Sequence, residues 1–268
     1  FLEFPDPRMS RRHVQVRREG DRWSVTDLGS RNGALIDGER LVPGATGRFS
    51  RLLRIGDSLL VALRDITPLQ RFGMRVAHGR VEGPTTQRTL QWVRRVAEFG
   101  STLHITGESG AGKEELARAF HEAGPNPRGP LQAVNCAAIP EGIAERLLFG
   151  ARRGAYSGAD TDTDGYVQSA HGGTLFLDEV AELSLAVQAK LLRTLETGEV
   201  LQLGTSRPRA VNLRFCSATN RDLREQVTAG KFREDLYYRI TEPSVVASPL
   251  RERPEEIPWL LGLEIERM

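Results

Sequence analysis

Over the first quarter of the chain, polar and apolar positions alternate with period two. His13-Val14-Gln15-Val16-Arg17 does so, and Trp23-Ser24-Val25-Thr26-Asp27-Leu28 does so again, the spacing of strands with one face buried. Turn signals at Glu19-Gly20-Asp21, Asn32-Gly33 and Asp37-Gly38 punctuate these runs. A further apolar run, 59–63, follows Gly56-Asp57. Several short strands without a helical period predict a β-sandwich.

Beyond about residue 85 the pattern becomes an alternation of strands and helices. Short apolar runs at 103–106, 131–134, 174–177 and 211–218 read as strands, and 113–122 and 141–149 as helices. Leu185, Ala189 and Leu192 recur at helical spacing. This order predicts a parallel sheet flanked by helices. Residues 150–165, polar and rich in Gly and Asp, read as an exposed loop. The chain contains no internal repeat and no low-complexity tract.

Composition narrows the picture without redirecting it. The 268 residues suit one or two domains, and 39% apolar with 27% charged residues is an ordinary globular balance. A net charge of +2 demands neither a nucleic-acid nor a membrane partner. Residues 1–65 are mildly basic, with 12 Arg and no Lys against 9 carboxylates. That suits an acidic or phosphorylated ligand and equally a solvated surface. Cys136 and Cys216 each sit in an apolar run and read as core residues, neither disulfide partners nor zinc ligands. No apolar run reaches the ~18 residues of a membrane span, and no signal peptide is visible, so a cytoplasmic address is expected. Phe1 in place of an initiator Met, and an apolar, helix-like end over 257–268, read as a fragment cut at both ends.

The candidate chemistry lies in the second part. Gly107-Glu108-Ser109-Gly110-Ala111-Gly112-Lys113 follows a predicted strand and opens a predicted helix. Such a loop closes backbone N–H groups around phosphate oxygens, at the positive end of the helix, with Lys113 reaching the outer phosphates. Glu114 stands where Ser or Thr usually follows the Lys. A second strand ends in Asp178-Glu179, delivering two carboxylates to the carboxyl edge of a parallel sheet, where ligands of such sheets bind. Asp178 is the candidate magnesium ligand and Glu179 the candidate base for an attacking water. Thr219 and Asn220 end a third strand and read either as a phosphate sensor or as an ordinary turn. Arg233 and Arg239 read either as surface arginines of a helix or as charges supplied to a neighbouring phosphoryl site.

Taken together, residues 107–114, Gly154-Ala155-Tyr156-Ser157-Gly158-Ala159, 172–179 and 232–239 resemble the central AAA+ domain of sigma-54-dependent transcriptional activators. Val134-Asn135-Cys136-Ala137-Ala138, 187–192 and 249–254 extend the likeness, from about residue 77 to the end. The resemblance implies that residues 107–114 bind ATP and that Asp178 and Glu179 serve Mg2+ and hydrolysis. It implies that Asn135 restrains Glu179, that Thr219 and Asn220 sense phosphate, and that Arg233 and Arg239 are arginine fingers completing a neighbour's site in a homo-oligomer, a hexamer in this family. Residues 154–159 would touch sigma-54 RNA polymerase; the family has Phe then Thr where this chain has Tyr156 and Ser157. The C-terminal lid and a DNA-binding helix-turn-helix are expected beyond Met268.

The first part resembles a forkhead-associated (FHA) domain, a β-sandwich that binds phosphothreonine peptides. Ser10-Arg11-Arg12-His13, Asp27-Leu28-Gly29-Ser30-Arg31-Asn32-Gly33 and Leu53-Arg54-Ile55-Gly56-Asp57 carry that likeness. By match, Ser10, Arg11 and Arg31, with Arg8, would line a phosphate pocket, and Asn32 would bond the peptide backbone. His13 would brace the loops, and a Gly-Arg pair of the family lies upstream of Phe1.

The expected organisation is therefore an FHA-like β-sandwich over 1–65, a linker over 66–76 and an α/β P-loop AAA+ domain over 77–268, its parallel sheet flanked by helices. The expected activity is ATP hydrolysis that remodels sigma-54 RNA polymerase, gated by a phosphothreonine-containing protein and without a membrane partner. The alternatives are an FHA signalling adaptor whose weak or regulatory ATPase does not engage sigma-54, and an AAA+ ATPase with another client.

Overall fold

A computed structural model describes residues 6–20, 22–49, 51–63, 65–77 and 79–267, the side chains of Glu19 and of 264–267 excepted. Phe1, Asp21 and Met268 lie outside the described residues. The chain divides into two compact units, Phe1–Thr85 with Leu250–Met268, and Thr86–Pro249.

The first unit opens with seven strands: β1 (Val14–Glu19), β2 (Arg22–Asp27), β3 (Ala34–Ile36), β4 (Glu39–Leu41), β5 (Thr46–Phe49), β6 (Leu52–Ile55) and β7 (Ser58–Val61). They form two sheets, β1-β2-β5 and β4-β3-β6-β7, with antiparallel pairing throughout. Val25 and Phe49 from one sheet meet Ala34, Leu41, Leu53 and Ile55 from the other in a shared core. The predicted sandwich is present. Strands β3 to β6 escape the period-two reading because three or four residues are too few for alternation to register. A helix, α1 (Thr67–Phe72), and a hairpin of β8 (Arg75–Ala77) with β9 (Arg80–Glu82) follow. The stretch expected as a linker thus holds α1 and the first residues of β8.

The second unit takes up within α2 (Pro84–Phe99), at Thr86, and runs on through β10 (Thr102–Thr106), α3 (Lys113–Glu122), β11 (Leu131–Asn135), α4 (Glu141–Phe149), α5 (Tyr166–Ser169) and β12 (Thr174–Asp178). It continues with α6 (Leu185–Thr197), the hairpin strands β13 (Glu199–Val200) and β14 (Arg209–Ala210), β15 (Arg214–Thr219), α7 (Leu223–Thr228), α8 (Glu234–Ile240) and β16 (Ser244–Val246). Five strands form one parallel sheet in the order β11-β12-β15-β10-β16. Helices cover both faces, so the central strands are buried along nearly their whole length rather than alternately. Leu175, Leu177 and Phe215 feed a core shared with α4, α6 and α8. Phe176, Cys216 and Ala218, their neighbours in sequence, feed the opposite core with α2 and α3.

One strand differs from expectation. Apolar residues from 211 onward suggest a strand over 211–218, but the Val211 N–H bonds Gly198 O (2.7 Å) and closes the β13–β14 hairpin. Only Arg214 onward joins the sheet. The 150–165 loop is exposed at 152–154, 156–158 and 160–164, while Gly150, Ala151, Ala159 and Gly165 are buried. The chain then returns to the first unit through 3₁₀ turns at Leu250–Glu252 and Pro254–Glu256 and a final helix, α9 (Ile257–Arg267). There the buried Glu256 accepts the Gly83 N–H at 2.8 Å and the Arg253 guanidinium at 2.6 Å.

Candidate functional site

The loop between β10 and α3 is shaped by its glycines. Gly110 (φ 75°) and Gly112 (φ 89°) adopt the left-handed conformation, Gly112 as the residue that starts α3. Gly107 lies against the chain after β16: a Cβ there would stand 2.8 Å from Ala247 O and 2.9 Å from Ala247 Cβ. The start of α3 has no side-chain cap, so its first N–H groups and positive end face the loop. Lys113 is buried, 6% exposed. Its ammonium donates to Gly107 O (3.2 Å) and Glu108 O (3.4 Å) and pairs with Glu179 Oε1 at 3.1 Å. Glu114 points elsewhere and pairs with Arg118 one turn on.

The acidic pair stands at the carboxyl end of β12, with β10 reached across β15. Asp178 Oδ1 accepts the Glu179 N–H at 3.0 Å. Burial pushes the Asp178 carboxyl above its ordinary range and the Glu179 charge adds to this, against the opposing pull of the Lys113 ammonium. Glu179 adopts a left-handed backbone, φ 51° and ψ 48°, unusual for a residue with a side chain and costing on the order of 1–3 kcal/mol. The conformation turns its carboxylate back toward β15, where Oε2 accepts the Asn220 N–H (3.2 Å) and lies 3.5 Å from Thr219 Oγ1. Lys113, Glu179, Thr219 and Asn220, read from three separate segments, are thus drawn into one cluster.

Asn135 sits beside Asp178 in the strand register, but its Oδ1 accepts the Ala137 N–H (2.9 Å) and starts a 3₁₀ turn. Among the described residues no hydrogen bond joins it to Glu179; Lys113 and Asn220 hold that carboxylate instead. Cys136, next in the chain, is buried, and burial with the charges of Asp178, Glu179 and Glu182 pushes its thiol up to about 12. Both cysteines are free and buried, as core residues.

Arg233 and Arg239 do not join this cluster. Arg233 precedes α8 and grips Asp235 with two hydrogen bonds, 3.0 and 2.7 Å. Arg239, in the last turn of α8, donates to Leu195 O at 2.9 Å. Both are exposed. The 154–159 segment forms a closed turn, Gly154 N–H to Ala159 O at 2.9 Å and Ala159 N–H to Tyr156 O at 3.1 Å. Arg146, which the sequence reading passed over, places its guanidinium 4.8 Å from the Tyr156 ring centre. Arginine over an aromatic ring leaves no periodic trace in a sequence.

In the first unit, Ser10 Oγ accepts the Arg31 N–H (3.2 Å) and Asn32 Nδ2 donates to Arg8 O (2.8 Å). The buried His13 accepts the Ser10 N–H at Nδ1 (3.0 Å), which leaves Nε2–H to donate to Gly33 O (2.8 Å). His13 therefore ties together the two loops that carry Ser10 and Asn32. A cavity of about 400 Å³ is lined by Arg8, Asn32, Gly33, Leu35, Arg40, Arg54 and Gly56. Arg8 also pairs with Asp57 at 3.0 Å. Arg11 and Arg31 are exposed.

No helix among the described residues is long and apolar enough to cross a membrane. The described residues contain no cluster of three metal-ligating side chains. The Asp178–Glu179 pair fits magnesium in another way, since Mg2+ is commonly held by one or two carboxylates together with substrate phosphates.

Residues 80–246 match the family model of the sigma-54 interaction domain, and residues 2–61 match that of the FHA domain. The chain is 48% identical over 177 residues to the Nif-specific regulatory protein of Azotobacter vinelandii, covering 66% of this chain and 34% of that protein. It is 51% identical over 174 residues to the nitric oxide reductase transcription regulator NorR2 of Cupriavidus necator, covering 64% and 33%. The chain thus spans about a third of the length of these curated relatives. Among solved structures it resembles NtrX of Brucella abortus in complex with ADP, at 34% identity and a TM-score of 0.62, covering 71% of this chain and 40% of that one. The ATP complex of the same protein gives 36% identity and a TM-score of 0.60, over 66% and 40%. A phosphate-loop lysine, an acidic strand end and a parallel sheet matching these relatives lead to one assignment: the chain belongs to the family defined by the sigma-54 interaction domain, here preceded by an FHA domain.

Proposed function

We propose that this protein hydrolyses ATP and uses the energy to press its 154–159 loop against sigma-54, activating transcription by the sigma-54 polymerase. The observation that carries the proposal is the 3.1 Å pairing of Lys113 with Glu179, loop against acidic strand end, at the carboxyl edge of the sheet. The ATP and ADP complexes of the NtrX relative support a nucleotide here.

In this reading the backbone amides of residues 107–113 and the Lys113 ammonium take the phosphates, and Lys113 exchanges its present oxygen partners for phosphate oxygens. Asp178 would hold magnesium, which neutralises phosphate charge when bound. Glu179, freed from Lys113, is the base for an attacking water. Asn220, whose N–H already bonds Glu179, ties the phosphate sensor to that base. Arg233 and Arg239 act on a neighbouring copy, in a homo-oligomer of the kind the resemblance implies. The FHA unit reads a phosphothreonine protein through Arg8, Ser10, Arg11, Arg31 and Asn32, and so governs the ATPase. Binding to DNA would belong to other parts of the whole protein, and a cytoplasmic location suits a regulator that meets polymerase.

Two substitutions test the core of this reading. Lys113→Ala abolishes nucleotide binding in calorimetry. Glu179→Gln keeps binding and lowers ATP turnover by roughly 10²–10⁴-fold, the range for a positioned general base. Unchanged affinity in the first, or near-normal turnover in the second, removes the site. Capture of sigma-54 in the presence of ADP and aluminium fluoride separates an activator from a signalling adaptor.

A further inference from the structure

Tyr156 carries the aromatic ring of the 154–159 turn. The root of that turn is firmly built. Ala151 and Thr163 exchange backbone hydrogen bonds of 2.9 and 2.8 Å. Asp162 accepts the Arg153 N–H at 2.8 Å and pairs with the Arg152 guanidinium. Above this root, the Gly154–Ala159 and Ala159–Tyr156 bonds fix the backbone but leave the phenol ring to its own contacts. That ring is 37% exposed, and the Arg146 guanidinium lies 4.8 Å from its centre.

Arg146 is held in place by α4, whose end closes with Gly150 N–H bonded to Arg146 O. Among the described residues its guanidinium has no hydrogen-bond or ion-pair partner. Two other arginines near the loop do have one: Arg152 has Asp162 and Arg209 has Asp164. A half-buried guanidinium without a carboxylate, set over an aromatic face, gains its attraction from the ring's negative π face. Arg146 of α4 thus meets the Tyr156 ring.

We propose that Arg146 is a positioning residue that latches the Tyr156 ring along α4, so that the loop delivers its aromatic tip only when the stacking is given up. The claim rests on the sigma-54 reading for what the tip engages, but the latch has its own physical signature. Stacking of this kind at a partly exposed site biases the closed arrangement by about two- to five-fold.

The test uses two readouts on the whole protein. The first is tryptic cleavage after Arg153, whose rate follows the open population when opening is fast. Arg146→Ala raises this rate about two- to five-fold. Tyr156→Ala does the same, Tyr156→Phe leaves it unchanged because the π face persists, and the double Arg146→Ala/Tyr156→Ala variant opens no further than either single. Arg146→Lys restores part of the protection. An unchanged rate in Arg146→Ala, or single effects that multiply in the double variant, overturns the latch. The second readout is sigma-54 capture with ADP and aluminium fluoride. Arg146→Ala raises capture by the same factor and Tyr156→Ala removes it. Capture unaltered by Arg146→Ala, with cleavage raised, reduces Arg146 to a purely structural contact and overturns its role in delivery. Absence of capture in every variant, with the cleavage pattern intact, defeats the sigma-54 reading and leaves the latch standing.

Discussion

Glu179 brings two costs together at one residue: a left-handed backbone, φ 51°, and a carboxylate whose charge adds to the rise that burial imposes on the Asp178 pKa. A residue kept in that conformation by its surroundings is expected at a site where its side chain must point one way. The strain can be measured apart from the chemistry. Glu179→Ala and Glu179→Gly both remove the carboxylate, but glycine accepts positive φ at little cost. The glycine variant is therefore expected to be more stable than the alanine variant by about 1 kcal/mol, read as a difference in denaturation midpoint; equal midpoints would mean the backbone relaxes. His104 offers a second residue-scale prediction. It is buried in β10 with Nδ1 2.8 Å from Ser217 Oγ, and burial lowers its pKa from 6.5 to about 4. The unfolded chain binds this proton below 6.5 and the folded chain only near 4, so stability rises with pH across that window. The contribution is complete above 6.5 and is lost as pH falls toward 4. Between pH 7.5 and 5, His104→Gln should lose about 2 kcal/mol less stability than the unaltered protein. Parallel losses in urea titrations would show that His104 does not carry this dependence.

Among the elements, α2 and α3 meet at their ends through a buried cation. Arg214, at the start of β15, donates to Phe120 O (2.8 Å) near the end of α3 and to Ala97 O and Gly100 O (both 3.0 Å) at the end of α2. Its guanidinium also lies over the Phe120 ring, 3.8 Å from the centre. Helix C-termini carry unsatisfied carbonyls and partial negative charge, so one arginine closes two helices, with no carboxylate partner among the described residues. Arg214→Leu is expected to cost about 2 kcal/mol or more by stranding buried acceptors. Arg214→Lys should recover only part, since a single ammonium cannot reproduce the forked geometry; full recovery in thermal melts would count against the capping role. None of this is visible in the sequence, where Arg214 sits inside the 211–218 run that reads as a strand. What was legible follows a rule. Strand β12 and helices α3 and α4 are flanked by Gly or Pro and carry continuous or periodic apolar patterns, and their expected limits lie close to those observed. Helix α2 went unread because its aromatic residues Trp92 and Phe99 are exposed while smaller Leu90, Val93 and Ala97 make the core, so aromatic weight marks the wrong face. The loop lysine and acidic pair were readable as motifs. The Lys113–Glu179 pairing, the Glu179 strain and the Arg146–Tyr156 contact arise only when distant segments meet.

For the molecule as a whole, the decisive question is whether the site is complete within one chain. Arg233 is occupied by Asp235 and Arg239 by Leu195 O, and neither bonds to the phosphate loop or acidic pair of its own chain. If their charge is needed for phosphoryl transfer, a second copy must supply it, as a ring of head-to-tail interfaces allows. Complementation tests this without knowing the ring size. Lys113→Ala lacks nucleotide but keeps its arginines; Arg239→Ala binds nucleotide but lacks one arginine. Each variant alone is expected to lose most ATP turnover, by about 10³-fold for the arginine. Mixed in equal amounts, an interface is competent when an Arg239→Ala subunit offers its phosphate loop to the arginine of a Lys113→Ala neighbour. Random assembly makes that pairing at about one interface in four, so turnover should rise to about a quarter of the unaltered level. An arginine acting within its own chain gives no such recovery, because every subunit in the mixture then still lacks one of the two groups. A mixture no more active than its components would therefore place the arginine's role inside the single chain and remove the need for a ring.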